Sequence, residues 1–173
     1  AWIGQGSGAL LDLGCGPGWL CIEAAEGHPD LDCVGIDHSD TVLRAARRNG
    51  AGLLNCTFKR MSAEHIVYPG ATFDVVTAVQ SAHHWEHPAV VLDEALRVLK
   101  PGGTLLVLEA NPEADLEEAW LDRRGGLPPA WWVRRMWRRW HIPLEPLAAL
   151  ARERGCETEL GELGFYRSLR CSR

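Results

Sequence analysis

The chain has 173 residues, of which 46% are hydrophobic and 24% charged, and its net charge is −5 at pH 7. This composition predicts one globular domain with a substantial core, and the negative charge argues against a nucleic-acid partner. We see no apolar run of the roughly 18 residues that a membrane span needs and no signal peptide, so we expect a cytoplasmic protein.

Six cysteines are spread over the sequence. They stand at positions 15, 21, 33, 56, 156 and 171, and no two of them form a C-x-x-C pair. Several lie inside apolar patterns, which favours small buried side chains with free thiols over a disulfide framework. The spacing offers no zinc site, and we expect no metal.

The first predicted element is a buried strand over residues 9–13, which leads into a glycine loop and a helix over 19–26. Residues 12–18 read Asp-Leu-Gly-Cys-Gly-Pro-Gly. Glycines at this spacing allow a tight turn and the close approach of a ligand, and a strand, glycine loop and helix in this order form a nucleotide cradle. The alternative is a loop that needs small residues only for its turn.

A second strand is predicted over 31–37 and ends on Asp37, 23 positions after Gly14. A carboxylate at the tip of the second strand is suited to bind the two hydroxyls of a ribose. The alternative is a helix cap. Ser39 or Asp40 would serve that purpose better, because they directly precede a helix predicted over 41–48.

Polar residues follow the next two predicted strands, over 53–59 and 73–79. The fourth strand leads into Gln80, Ser81 and Ala82 and then the pair His83 and His84. Ligands of open α/β sheets bind at the carboxyl ends of the strands, and a histidine there can accept a proton near neutral pH. The alternative is a loop whose histidines cap the strand and pack on a ligand.

A metal site built from this histidine pair with Glu86 and His87 is disfavoured, because neighbours on one short loop rarely converge on one ion. The chain continues with a helix over 88–99, a turn over 100–103 and a strand over 104–108. The later predicted elements are helices over 115–123, 131–140 and 144–154 and closing strands over 157–163 and 165–171.

Three stretches carry a resemblance to a known family: residues 12–18, residues 73–76 (Phe-Asp-Val-Val) and residues 97–105 (Arg-Val-Leu-Lys-Pro-Gly-Gly-Thr-Leu). In them the sequence resembles the class I S-adenosylmethionine-dependent methyltransferases of the ubiquinone and menaquinone biosynthesis type. The resemblance implies an α/β fold, a Rossmann-like, doubly wound, mostly parallel seven-stranded sheet with helices on both faces and an antiparallel last strand.

The resemblance also implies a single domain, with a cofactor-binding core over 9–109, an acceptor-side lid or insertion over 110–142, and a closing helix and two strands over 143–173. It implies S-adenosylmethionine as cofactor and methyl transfer to a small-molecule acceptor. Aromatic and prenylated compounds are among the acceptors that this leaves open. Whether the methylated atom is an oxygen, a carbon or a nitrogen stays open. His83 and His84 are the candidate bases.

The cofactor-binding residues follow from the same resemblance. Gly14, Gly16 and Gly18 would line the methionine moiety after Asp12, Asp37 would hold the ribose, and Gln80 would offer its backbone carbonyl to the ammonium group. The residues that would border the ribose and adenine are His38, Val42, Ser62 and Ala63. Ser62 stands where the family has an acid for the adenine amino group, and a hydroxyl accepts that hydrogen bond more weakly.

Family members carry one or two helices before the first strand, where this sequence has about eight residues, so it is either a fragment or has an unusually open site. Two alternatives therefore stay open: a cofactor-binding module without catalysis, and a nicotinamide-dependent reductase. Trp19 opposes the reductase, because it stands where the dinucleotide fingerprint has its third glycine. No Tyr-x-x-x-Lys pair is present either, since Tyr68 and Tyr166 are followed at the fourth position by Thr72 and Arg170.

The predicted helix over 131–140 is dense in tryptophan and arginine. Its apolar residues share one face and its four arginines the other, which is typical of a lid or core helix with a solvated basic side. The alternative is an aromatic wall for a flat or prenylated acceptor, with arginines that meet an anionic group or a membrane surface.

Overall fold

The computed structural model describes residues 7–113, 135, 137–139 and 142–173. Strands and helices alternate along the first stretch, and a helix and two strands make up the last. The elements are β1 (Ser7–Leu13), α1 (Trp19–Gly27), β2 (Asp30–Asp37), α2 (Asp40–Asn49), β3 (Cys56–Arg60), β4 (Phe73–Val79), a 3-10 turn (Ala82–His84), α3 (Pro88–Val98), β5 (Leu99–Ala110), α4 (Glu145–Glu153), β6 (Glu157–Leu163) and β7 (Tyr166–Ser172).

The strands form one sheet in the order β3-β2-β1-β4-β5-β7-β6. All pairings from β3 to β5 are parallel, whereas β7 runs antiparallel to both β5 and β6. The predicted mostly parallel sheet with a reversed last strand is therefore confirmed. The chain reverses its winding direction at β1, and the crevice beside such a switch point is where open α/β sheets bind ligands.

Two clusters of buried apolar side chains lie on opposite faces of this sheet. Neighbouring residues of a strand point to opposite faces, and Leu10 belongs to one cluster while Leu11 belongs to the other. Leu10 packs in the cluster that contains Ile22 of α1 and Leu43 of α2, and Leu11 in the one that contains Leu92 of α3 and residues of α4. Helices therefore cover both faces, as predicted.

The segment 100–103 differs from the prediction of a turn. It belongs to β5, and the register of β5 against β4 shifts between Phe73 and Val75. Gly102 has a φ of +79°, and the Lys100 ammonium lies 2.8 Å from the carboxylate of Asp74 on β4. The irregularity lets the strand pass through a proline and two glycines without ending, which the local residue pattern does not reveal.

All six cysteines are free thiols and buried, as predicted. Burial raises the pKa of the Cys33 and Cys171 thiols to about 12, so these two side chains are protonated packing groups rather than nucleophiles.

Several predictions fall on residues that the structure does not describe. They are the helix over 115–123 and most of the tryptophan-rich helix over 131–140, of which Arg135, Trp137, Arg138 and Arg139 are described and helical. The lid assignment for 110–142 therefore stays a prediction. Within the described part of the chain, no helix combines the length and apolar character required to cross a bilayer.

Candidate functional site

A cavity of about 700 Å³ opens at the carboxyl ends of β1, β2, β3 and β4. Its walls come from the four loops that follow these strands. The lining residues include Gly14, Gly16 and Pro17 after β1, Asp37, His38, Ser39 and Val42 after β2, Met61, Ser62, Ala63 and Glu64 after β3, and Gln80, Ser81, His84, Trp85 and Glu86 after β4. Four segments that are far apart in the chain thus meet at the switch point of the sheet.

The glycine loop is anchored to the end of β2. The backbone N–H groups of Gly14 and Cys15 both donate to the Ile36 carbonyl at 2.9 Å. A Cβ on Gly14 would lie 2.6 Å from the Cβ of Ser81, whereas a Cβ on Gly16 would meet no atom within 4 Å. Gly14 is therefore required by packing against the loop after β4, and Gly16 leaves a bare stretch of backbone beside the cavity.

Asp12 and Gly18 are not among the lining residues of this cavity. Gly18 begins α1 with a φ of +87°, and a Cβ there would lie 2.5 Å from the ring of Phe58. Asp12 is buried and accepts a 2.7 Å hydrogen bond from the Thr77 hydroxyl. Burial raises its pKa to about 7 against the opposing effect of that hydrogen bond, and the charge of Asp37 raises it further. Both residues therefore stabilise the glycine loop through their packing and do not line the cavity.

Asp37 links β2 to the glycine loop. One carboxylate oxygen accepts from the Gly16 N–H at 3.1 Å and the other from the Ser39 N–H at 2.9 Å. The cap of α2 is Ser39, whose hydroxyl accepts from the Val42 N–H at 3.5 Å. Asp37 is thus not the helix cap, and each of its oxygens has a second lone pair for a hydroxyl at the cavity wall.

The loop after β3 forms the opposite wall. The Ser62 hydroxyl accepts from the Glu64 N–H at 3.1 Å, and Ser62 forms an isolated β-bridge with His65. The Glu64 carboxylate in turn accepts from the His87 backbone N–H at 3.0 Å and lies 3.2 Å from the His87 ring. This contact connects the loop after β3 to the start of α3.

Gln80 stands at the end of β4 with a φ of +49°. Left-handed backbone is uncommon for a residue with a side chain and is found where surrounding structure enforces it. Its N–H donates to the Leu108 carbonyl at 2.8 Å, and the next residue, Ser81, donates from its hydroxyl to the Leu13 carbonyl at 2.6 Å. The chain therefore turns sharply into the cavity wall at this position.

His83 and His84 differ in their surroundings. His84 lines the cavity, and burial together with the neighbouring His83 holds its pKa below the usual value. His83 is not among the lining residues, and its Nδ1 lies 2.9 Å from a carboxylate oxygen of Glu109. The two rings are 4.1 Å apart between centroids, tilted by 50°.

Glu109 was not predicted as a site residue. It lies near the end of β5 and is 2% exposed. The signal available in the sequence was an acid directly after the apolar run Leu105-Leu106-Val107-Leu108, at the strand end where ligands of α/β sheets bind. Its partners in the loop after β4 are 26 and 27 positions away, so the sequence did not indicate the pairing.

The methyltransferase domain family matches residues 11–107, more than half of the sequence. The chain belongs to this family. The methyltransferase domain is 37% identical over 106 residues to the demethylmenaquinone methyltransferase of Deinococcus radiodurans, an alignment that covers 61% of this chain and 44% of that protein. It is 35% identical over 111 residues to the fatty-acid O-methyltransferase of Mycolicibacterium smegmatis, covering 63% and 39%. The chain spans less than half the length of these relatives.

Among solved structures, the methyltransferase domain superimposes on an S-adenosylmethionine-dependent methyltransferase from Aquifex aeolicus with a TM-score of 0.74. The match covers 97% of this chain and 82% of that one at 20% identity. A likeness at this identity shows the fold, and the predicted Rossmann-like methyltransferase fold is thereby confirmed.

Family and fold imply S-adenosylmethionine as the cofactor of this methyltransferase domain, and the cavity fits that molecule. The bare backbone at Gly16 admits a ligand, and the Asp37 carboxylate beside it has capacity for two hydroxyls. Ser62 and Ala63 line the same cavity from the loop after β3. Among the described residues no group of three or more His, Cys, Asp or Glu side chains is placed to hold a metal ion.

Proposed function

We propose that this domain transfers a methyl group from S-adenosylmethionine to a small-molecule acceptor. The observation that carries the proposal is the convergence of Gly16, Asp37, Ser62 and Gln80 on one cavity at the switch point of a methyltransferase sheet. The family match favours this function over the nicotinamide-dependent reductase.

Each of the expected cofactor residues has a proposed task. Gly14 and Gly16 would lie along the methionine moiety, and the Asp37 carboxylate would accept hydrogen bonds from the two ribose hydroxyls. Gln80, turned by its positive φ, would direct its carbonyl to the ammonium group. The side chains and backbone that would border the ribose and adenine are those of His38, Val42, Ser62 and Ala63. Asp12 and Gly18 would act indirectly, by supporting the loop.

When bound, S-adenosylmethionine supplies an electrophilic methyl group on a sulfonium ion. The residues of the chain then hold the acceptor in line, exclude water and receive a proton where the acceptor carries one. His83 and His84 are the proposed bases for a phenol or enol. An acceptor that is already nucleophilic would need neither.

The acceptor class and the location of the protein are further parts of the proposal. The Deinococcus radiodurans relative is named for a demethylated menaquinone, which supports an aromatic or prenylated acceptor, and so does the tryptophan-rich stretch of residues 131–140. Six buried free thiols are compatible with a reducing cytoplasm.

Calorimetry on the full chain tests the cofactor assignment. We expect S-adenosylhomocysteine to bind with a micromolar dissociation constant and NADH to show no binding. Asp37→Ala should weaken S-adenosylhomocysteine binding by about tenfold or more, because it removes two charge-assisted hydrogen bonds. Asp40→Ala is the matched control, since Asp40 is exposed in the first turn of α2 and pairs with Arg60. Equal affinity of Asp37→Ala and the parent would contradict the ribose assignment.

A second candidate function is cofactor binding without methyl transfer, and the observation that favours it is Ser62 in place of the family acid. Labelled S-adenosylmethionine with a panel of phenols and quinols separates the two. Label transfer to any acceptor supports the enzyme, whereas S-adenosylhomocysteine binding with no transfer supports the binding module.

A further inference from the structure

Four of the six cysteines lie together on the side of the sheet that α1 and α2 cover. Cys15, Cys21, Cys33 and Cys56 belong to the same core cluster, although they come from the glycine loop, α1, β2 and β3. Cys33 and Cys56 are register partners on the neighbouring parallel strands β2 and β3. The Cys21 thiol of α1 shares a hydrogen bond with Cys56. Cys56 is therefore the thiol at which three elements meet.

All six cysteines lie in the described part of the chain, and Cys56 differs from the other five. The hydrogen bond from Cys21 lowers the pKa of Cys56 against the opposing effect of burial, whereas that bond and burial raise the pKa of Cys21. Burial also raises the pKa of the remaining four thiols, those of Cys15, Cys33, Cys156 and Cys171. Cys56 is the most exposed of the six, at 8%. Because the thiolate is the reactive form of cysteine, Cys56 is the thiol with which an oxidant reacts first.

The contact between Cys21 and Cys56 adjoins the start of α1, where the glycine loop ends. Gly18 begins α1 three residues before Cys21, and Phe58 belongs to the same core cluster as Cys56. A Cβ on Gly18 would lie 2.5 Å from the Phe58 ring, so α1 and β3 already touch at this point. A covalent bond holds two sulfur atoms closer together than a hydrogen bond does. Linking the two thiols therefore forces the start of α1 to shift, and with it the loop that carries Gly16 at the cavity wall.

We propose that Cys21 and Cys56 are a peroxide-sensitive pair that forms a disulfide and thereby weakens binding at the cofactor cavity. The effect on binding rests on the proposed function, whereas the disulfide does not. The Cys56 thiolate attacks one oxygen of hydrogen peroxide, the oxygen–oxygen bond breaks, and hydroxide leaves as Cys56 becomes a sulfenic acid. The Cys21 sulfur then bonds to the Cys56 sulfur while the sulfur–oxygen bond breaks. The Cys21 proton leaves with the hydroxyl group as water, so two thiols and one peroxide give one disulfide and two waters.

Mass spectrometry on the full chain tests the pair. The chain is treated with hydrogen peroxide, its remaining free thiols are alkylated under denaturing conditions, and the linked peptides are fragmented. Four acidic residues stand between Cys21 and Cys33, so digestion after acids separates these two thiols. In the parent, Cys56 should be linked to Cys21, and dithiothreitol should remove the link. A link from Cys56 to Cys33 or Cys15, or free Cys21 and Cys56 after treatment, would overturn the proposal.

Cys156 and Cys171 provide a control within the same molecule. Both are buried in the other core cluster, and Cys156 lies near enough to Cys171 to affect its charge. Burial raises the pKa of both thiols, so neither is a ready nucleophile. This second pair should stay reduced under the conditions that link Cys21 to Cys56. Linkage of both pairs at the same rate would contradict the assignment of Cys56 as the reactive thiol.

Calorimetry tests the effect on the cavity. The oxidised parent should bind S-adenosylhomocysteine about fivefold or more weakly than the reduced parent, and dithiothreitol should restore the affinity. This reversal distinguishes the disulfide from oxidation of Met61 at the cavity wall, because methionine sulfoxide is repaired by dedicated reductases. In Cys21→Ser, which cannot form the link, peroxide should change the affinity by less than about twofold. Cys171→Ser is the matched control, a buried thiol away from the pair, and should respond to peroxide as the parent does.

The outcomes for this proposal and for the function on which it rests are distinct. If the reduced parent binds no S-adenosylhomocysteine, the proposed function fails, and the mass spectrum still decides whether the disulfide forms. If the disulfide forms and the affinity of the parent is unchanged, the effect on the cavity is overturned and the cofactor assignment stands. If peroxide weakens binding to Cys21→Ser as much as to the parent, the disulfide is not the cause of the loss.

Discussion

Asp12 and Asp37 are neighbouring carboxylates with contrasting surroundings. Asp37 accepts two backbone N–H groups at the cavity wall, whereas Asp12 is buried under the loop with the Thr77 hydroxyl as its side-chain partner. Burial raises the pKa of Asp12 to about 7, so this carboxyl group carries a proton over much of the range in which an ordinary aspartate is ionised. The two acids therefore contribute differently: Asp37 binds backbone N–H groups at the cavity wall, and Asp12 is a buried support that carries a proton below a pH of about 7.

Asp12 should make the stability of the fold depend on pH. The pKa of Asp12 rises from 3.8 to about 7 on folding. The contribution of this carboxyl group to the free energy of unfolding is therefore fully present below pH ~4 and is lost as the pH rises through ~7. The loss amounts to at most about 4 kcal/mol in the free energy of unfolding. Urea denaturation across this range should show the decline in the parent, and Asp12→Asn, which stays neutral and can still accept from Thr77, should lack it. A surface control is Asp32→Asn on β2. Parallel curves for Asp12→Asn and the parent would contradict the role of burial.

At the scale of elements, the glycine loop combines two kinds of glycine. Gly16 has a φ of +54° and open space where a side chain would stand, and Gly18 has a φ of +87° and the Phe58 ring 2.5 Å from that position. The first therefore leaves room for a ligand, and the second lets α1 approach β3. One sequence pattern, G-x-G-x-G, serves binding and packing at the same time.

Replacing each glycine by alanine should separate these two roles. Gly16→Ala should cost about 1–2 kcal/mol for its left-handed backbone and weaken S-adenosylhomocysteine binding by about tenfold or more, because the methyl group enters the cavity. Gly18→Ala adds a clash worth about 1–3 kcal/mol, so it should be the less stable variant and the better binder. Denaturation and calorimetry on both variants check this. The reverse order would show that Gly18, and not Gly16, adjoins the ligand.

On the scale of the whole molecule, the closing hairpin extends the sheet rather than forming a separate unit. β7 pairs with β5 along seven residues, and Leu169 and Cys171 belong to the same core cluster as Leu11 and Leu105. The strands that border the cavity and the closing hairpin thus share one core. We expect the domain to unfold as one cooperative unit.

Leu169→Ala tests this continuity. Leu169 is fully buried, so its truncation should lower the free energy of unfolding by about 2–5 kcal/mol. Circular dichroism and tryptophan fluorescence should report one shared transition. Its register partner Leu160 on β6 is 38% exposed, and Leu160→Ala should cost less than about 1 kcal/mol. Two separate transitions in Leu169→Ala would instead show that the hairpin unfolds on its own.

Local features of the sequence were enough to predict the sheet, the family and most of the residues that line the cavity. Apolar runs of strand length, the glycine spacing after Asp12 and the acid that ends β2 each act within a few residues, so they can be identified without knowing what packs against them. A cap of α2 at Ser39 or Asp40 was predicted for the same reason, and the structure has it at Ser39. The turn expected over 100–103 was wrong, because this segment is an irregular part of β5, and Leu99 and Thr104 on either side of it both pair with β4.

The sequence by itself thus determined the elements, their order and the family, since backbone preferences and hydrophobic periodicity are local. Only the tertiary structure decided which conspicuous residues adjoin the cavity. Gly18 lies so close to the Phe58 ring that a side chain would not fit there. Asp12 pairs with Thr77, which is 65 positions away in the chain, and His83 pairs with Glu109, which is 26 positions away. The burial of these side chains arises only when distant strands lie side by side. The raised pKa of Asp12 and the orientation of His83 both depend on it.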